Sequence, residues 1–209
     1  IGWMNNWDYA NDIPTSPWRS AMSLPRHVWL AQTPKGPRIV SRVVPQAAAL
    51  NLTGQAYAAP AQSVSGSRLL PKRGSVARID AVLRPGTAKR FGLTVHAAAD
   101  GSEKTVIGYD TTTGRLFVDR TDSGNVGFHP AFPSVEDAQV SLVGGKLTLS
   151  VYLDRSSVEL FAQGGRTAIT DQVFPSAGSN RIGMWAEGGA MRVESLKITP
   201  LKASMFTGQ

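Results

Sequence analysis

From Val76 onward, apolar residues recur at every second position. Leu147, Leu149, Val151 and Leu153 share one parity, as do Phe91, Leu93, Val95 and Ala97, and Ala77, Ile79, Ala81 and Leu83. Successive side chains of a strand point to opposite sides, so each run predicts a strand with one apolar face and one wet face. Turn signals separate the runs: Pro85-Gly86, Asp100-Gly101, Thr113-Gly114, Asp122-Ser123-Gly124, Gly144-Gly145, Gly164-Gly165 and Gly188-Gly189. Gly144-Gly145, between Gln139–Val143 and the run opening at Lys146, suits a two-residue primed hairpin turn. Met191 and Val193 fall on one parity and Leu196 and Ile198 on the other, which predicts a bulge near Glu194-Ser195. With no convincing amphipathic helix, the pattern predicts an all-β fold, an antiparallel β-sandwich over residues 74–200.

The chain ahead of this region has a different texture. Residues 1–44 are dense in Trp and Pro, and Arg38 to Val44 closes them as an alternating, strand-like run. Residues 45–73 are rich in Ala, Gln, Ser, Gly and Pro and read as a linker carrying one short helix around Ala47–Leu52. Residues 201–209 read as a tail. Ile1 falls inside what reads as a buried strand, so the sequence is expected to be cut from a longer one and to lack any leader for that reason.

Composition narrows the classes of function. The 22 basic and 15 acidic residues give a net charge of +7 and a pI near 10.1, which raises the question of a polyanionic partner. The basic residues are scattered, often beside Asp or Glu, so solvated surface is the better reading and nucleic acid is not an expected partner. No run approaches the roughly 18 apolar residues of a membrane span. The absence of cysteine excludes disulfides, thiolate metal sites and a cysteine nucleophile.

The search for chemistry yields few acids or bases in useful spacing. His27, His96 and His129 lie far apart without metal-ligand spacing, so no metal or cofactor is expected, and the parity of His96 predicts a surface residue. Asp8 and Asp12 read as loop carboxylates in Asx turns or paired with Arg19 rather than as a catalytic pair. In the stretch Asp154–Phe161, a turn-stabilising ion pair is favoured over an active site. Trp3, Trp7, Tyr9 and Trp18 could together form a platform for sugar rings, with packing an equally good reading.

Gly2-Trp3-Met4-Asn5-Asn6-Trp7-Asp8-Tyr9, then Ile13-Pro14-Thr15, then Pro17 through Arg26, resemble the last propeller-blade segment of the family 32 glycoside hydrolases, the levanases, exo-inulinases and invertases. Ile107 through Gly124 and Asp154 through Pro175 agree in order and spacing, so the resemblance covers nearly the whole chain. It implies a five-bladed β-propeller followed by a β-sandwich, with residues 1–44 the end of the last blade. The family's acids, in a WMNDPNG-like, an RDP and an EC motif, have no counterpart here, so no catalytic residue is assigned. The Trp3-Met4-Asn5-Asn6 run is followed by Trp7-Asp8-Tyr9, which assigns it to the last blade rather than to an altered nucleophile motif.

By the same resemblance Trp7, and next Asn6, would contact substrate, while Trp18 and Arg19 would brace the blade. The implied parent is a secreted, extracellular bacterial β-fructosidase acting on fructan or sucrose through a complete propeller. The sandwich would serve as its scaffold, and the chain alone would be inactive without the preceding blades. An independent carbohydrate-binding or structural sandwich is the alternative.

Overall fold

The computed structural model describes residues 1–33 and 36–203. Strands β1 (Arg26–Thr33) and β2 (Gly36–Val43) form an antiparallel hairpin in register from Arg26↔Val43 to Thr33↔Gly36. The segment before it folds back on itself: Trp3 bridges Met22, Met4 N donates to Ala21 O at 3.0 Å, and Ser23 N donates to Gly2 O at 2.8 Å. This is the segment that the resemblance assigns to the last blade, called the blade segment below.

Two 3-10 turns, Pro45–Leu50 and Thr53–Gln55, follow. The linker reading of 45–73 needs correction beyond them, because β3 (Tyr57–Ala59) and β4 (Gln62–Arg73) are strands of the main sheet. Among the described residues both pair only with β13 (Arg181–Pro200). β4 is an edge strand whose inward residues are Val64 and Leu70, so it needs little apolar sequence and tolerates Gly66 and Pro71.

The remaining strands are β5 (Ala77–Arg84), β6 (Arg90–Ala97), β7 (Thr105–Asp110), β8 (Arg115–Asp119), β9 (Val135–Gln139), β10 (Leu147–Asp154), β11 (Ser157–Ala162) and β12 (Thr167–Gln172). They hydrogen-bond in the order β12-β11-β10-β5-β13-β6-β7-β8-β9, all antiparallel. β13 belongs to both halves: residues 181–187 pair with β6 and residues 192–200 with β5. Gly188-Gly189, expected as a turn, lies within β13 where it passes from one half to the other. Gly189 has φ +148° and a Cβ there would collide with the Thr87 carbonyl.

The period-two residues fill the space between the halves. All twelve apolar residues of the three runs named above are buried, with Leu83, Phe91 and Leu147 fully enclosed. Gly144 and Gly145 both take positive φ between Val143 and Lys146, which exchange two 3.1 Å hydrogen bonds, the geometry of a primed turn. The register between β13 and β5 slips between Val193 and Ser195, which places the expected bulge at Glu194. The Glu194 carboxylate then reaches Arg84 and, at 2.7 Å, Lys146.

His96 departs from expectation. It is fully buried, because β6 bulges there: Thr94 faces Gly183 and Ala97 faces Arg181, leaving Val95 and His96 opposite the single residue Ile182. His96 takes φ +47°, and neither ring nitrogen has a hydrogen-bond partner among the described residues. Burial drives its pKa down to about 4, against the nearby Ser157 backbone and Asp154 carboxylate. The expectation of one wet face per strand also fails at β11, which is buried on both faces because the blade segment lies against it.

Candidate functional site

The stretch Trp3–Tyr9 is organised by asparagines. Asn5 Oδ1 accepts from Asn6 N at 2.9 Å, and Asn6 Oδ1 accepts from Asp8 N at 3.0 Å. Asn6 O also accepts from Tyr9 N at 3.2 Å, so Asn6 builds an Asx turn that pushes Trp7 outward. Trp7 is 87% exposed, and its ring lies 5.0 Å from that of Trp3 at 53°. Trp3 is itself held by its indole N–H on the Ser20 hydroxyl.

The platform is smaller than expected. Only Trp3 and Trp7 come together, and Tyr9 turns inward instead. Tyr9 is buried with Ile13 and Phe132, packs edge-on against Phe128 and Phe132, and accepts a 3.0 Å hydrogen bond from Arg120 Nη2. Trp18 offers its carbonyl to Thr15 Oγ1, and Arg19 donates to the carbonyls of Ile13 and Thr15 rather than to a carboxylate. Asp8 and Asp12 are exposed and form no ion pair among the described residues.

A cleft of about 710 Å³ separates the Trp3–Trp7 face from the sandwich, whose side carries Arg120, Glu136 and Asp171. Arg120 is buried over the Phe132 ring at 4.4 Å and lies 3.6 Å from the Asp171 carboxylate. Burial pushes the Asp171 pKa up to about 6, with Arg120 pulling it down and Glu136 adding to the rise. Asp171 Oδ2 has no partner among the described residues. Sequence reasoning missed both residues. Asp171 shares parity with buried Ile169 on β12, and a carboxylate at such a position requires a cation, which was the available signal.

The Asp154–Phe161 stretch also differs from expectation. Asp154 accepts from the Arg155 backbone at 2.7 Å and forms no ion pair with its guanidinium. Glu159 points away from the sandwich core, as its parity requires, yet it is buried because it anchors the blade segment. It takes an ion pair from Arg26 and a 2.8 Å hydrogen bond from Leu24 N. A second anchor forms where Ser41 N donates to Gly165 O at 2.8 Å. Gly165 has φ +90°, and a Cβ there would strike the Ser41 carbonyl. Among the described residues no group of His, Asp and Glu is arranged to hold a metal ion.

The model of the family 32 glycosyl hydrolase C-terminal region matches residues 48–200, and that of the family's N-terminal domain matches residues 1–42. The chain belongs to the family 32 glycosyl hydrolases, with a β-sandwich preceded by the last-blade segment of the propeller. It is 39% identical over 206 residues to a levanase of Bacillus subtilis, covering 97% of this chain and 30% of that protein. It is 36% identical over 206 residues to an extracellular exo-inulinase of Aspergillus awamori, covering 95% of this chain and 38% of that protein. The crystal structure of the Aspergillus awamori exo-inulinase superposes with a TM-score of 0.90 at 32% identity, over 98% of this chain and 40% of that one. The chain thus spans well under two thirds of the length of the relatives it matches.

Proposed function

We propose that this chain is the last-blade and sandwich portion of a secreted bacterial fructan β-fructosidase of levanase or exo-inulinase type. The observation that carries the reading is Trp7, a large ring left 87% exposed by a turn built from Asn6, at the position the family resemblance gives to substrate contact. A flat exposed ring suits the apolar face of a furanose, and the Asn6 side chain beside it offers an amide to hydroxyl groups.

The parent enzyme hydrolyses β-fructosidic bonds with retention, a route that uses two carboxyl groups about 5–5.5 Å apart. The family's three acidic motifs are missing from this sequence, so the chain alone is inactive and depends on preceding blades. Val28, Leu30 and Ile39 support that dependence: they stand 56%, 70% and 64% exposed on the β1–β2 hairpin, with Leu30 directly opposite Ile39. A contiguous apolar patch of this kind marks a surface that another element covers. The sandwich acts as scaffold, gripping the blade at Glu159, Gly165 and Arg120.

Fructose release from levan, inulin and sucrose tests the reading. The 209-residue chain is expected to release none, while the chain joined to its preceding blades is active and loses most of that activity on Trp7→Ala. Hydrolysis by the isolated chain would overturn the assignment of the acids to preceding blades.

A further inference from the structure

The outer face of β5, β10 and β11 meets the blade segment incompletely. Strand alternation puts Arg78 and Asp80 of β5, Ser150 and Tyr152 of β10, and Phe161 of β11 on that face. The register sets Tyr152 opposite Arg78, and Ser150 opposite both Asp80 and Phe161. Between this face and the Val43–Ala48 stretch lies a cleft of about 370 Å³, within the size range of small-ligand sites.

Ser150 and Arg78, which line the cleft beside two rings, are fixed by Asp80 outside its lining. Ser150 Oγ donates to Asp80 Oδ1 at 2.7 Å, and Arg78 Nε and Nη2 donate to the same oxygen at 3.1 and 2.9 Å. All three bonds fall on Asp80 Oδ1, which fixes Arg78 and Ser150 where they line the cleft. Tyr152 and Phe161 meet edge to face at 6.0 Å and 90°, and the Arg78 guanidinium steadies the Tyr152 ring from 5.5 Å. Burial raises the Tyr152 pKa, so its hydroxyl stays protonated, and it makes no hydrogen bond to a described residue.

Charge selects the kind of ligand. The Arg78 charge is matched by Asp80 at 2.9 Å. Arg42, which enters from β2, is already engaged by the Gly164 carbonyl and stacks on Trp29 at 5.3 Å. An anion therefore finds little uncompensated positive charge. A neutral polyol finds a ring for its apolar face, with acceptors and a donor for its hydroxyls.

We propose that this cleft is a binding subsite for a neutral oligosaccharide, shared between blade and sandwich, with Tyr152 as the stacking ring and the Ser150 and Tyr152 hydroxyls as polar contacts. That the oligosaccharide is a β-fructan rests on the reading in the previous subsection. The site uses none of the Trp3–Trp7 face, so the two are separable by mutation.

Calorimetric and NMR titration of the 209-residue chain with short inulin-type and levan-type oligosaccharides tests it. Saturable binding with movement of the Tyr152 ring signals is expected. Tyr152→Ala should weaken it about tenfold, equivalent to about 1.4 kcal/mol. Tyr152→Phe, which keeps the ring and the fold, and Ser150→Ala should each weaken it less, and Leu69→Ala, an exposed residue of β4 outside both clefts, should leave it unchanged. Absence of saturable binding to any glycan, or undiminished binding in Tyr152→Ala, overturns the proposal. Displacement of the sugar by sulfate overturns its neutral-ligand part. Tyr152-dependent binding of maltohexaose with none of either fructan keeps the subsite and removes the fructan reading.

Discussion

Two hairpins in this molecule carry the same alternation and meet different fates. In β10 and β11 the alternate residues Leu149, Val151 and Leu153 are buried against the opposite half of the sandwich, and the other face of β11 is closed by the blade segment. In β1 and β2, Val40 is buried, yet Val28, Leu30 and Ile39 project from the hairpin with nothing described against them. The local physics of pairing is equal in the two. What differs is whether the face finds a partner within the chain. An apolar stripe encodes a demand for burial and leaves the identity of the covering element open.

The sharpest way to test this contrast is to truncate one residue on each side of it. Leu160→Ala, in the sealed hairpin, is expected to cost about 2–5 kcal/mol in urea unfolding. Leu30→Ala in the same chain should change stability by less than about 0.5 kcal/mol, since its side chain is already in water. Equal losses would mean that the hairpin face is covered in solution.

The junction between the regions gives the next effect. Arg120→Met leaves Asp171 buried without its cation and should cost about 3 kcal/mol at alkaline pH. The sign of the pH dependence follows from Asp171. Its folded pKa, about 6, lies above the ordinary 3.8, so the fold favours the neutral acid and ionisation is costly above that value. Removing Arg120 raises it further, so the deficit should shrink as pH falls from 8 to 5. A deficit independent of pH would show that Arg120 acts by packing alone.

A smaller effect belongs to His96. Its folded pKa, about 4, lies below the ordinary 6.5, so the unfolded chain takes up a proton first. Stability should therefore fall between pH 6.5 and 4, and His96→Asn, which also tolerates positive φ, should flatten that slope. An unchanged slope in melting temperature against pH would place the acid sensitivity elsewhere.

How far residues spoke for themselves depended on how local their causes were. The runs through Leu83, Phe91 and Leu147, the Gly144-Gly145 turn and the Glu194 bulge were legible because strand period and turn chemistry act within a few residues. β4 was not, because an edge strand paired only with β13 needs two inward side chains and accepts Ser, Gly and Pro elsewhere. The burial of His96 depended on a bulge whose only mark is register against a strand more than eighty residues away. At the candidate site, Trp7 and Asn6 were reached through resemblance to a family. Tyr9 was misplaced in the platform because Arg120, its partner, comes from the other side of the chain.

The shared strand β13 has a consequence for synthesis. β3, β4, β5 and β6 all pair with it, and all four precede it in sequence. While the chain is being made, each of those strands leaves the ribosome with its central neighbour still untranslated, and the two halves have no common seam. Such long-range pairing is slow to form, and open strand edges invite intermolecular contacts in the interval. The domain therefore closes in one late event, when a single strand supplies the missing middle of both halves.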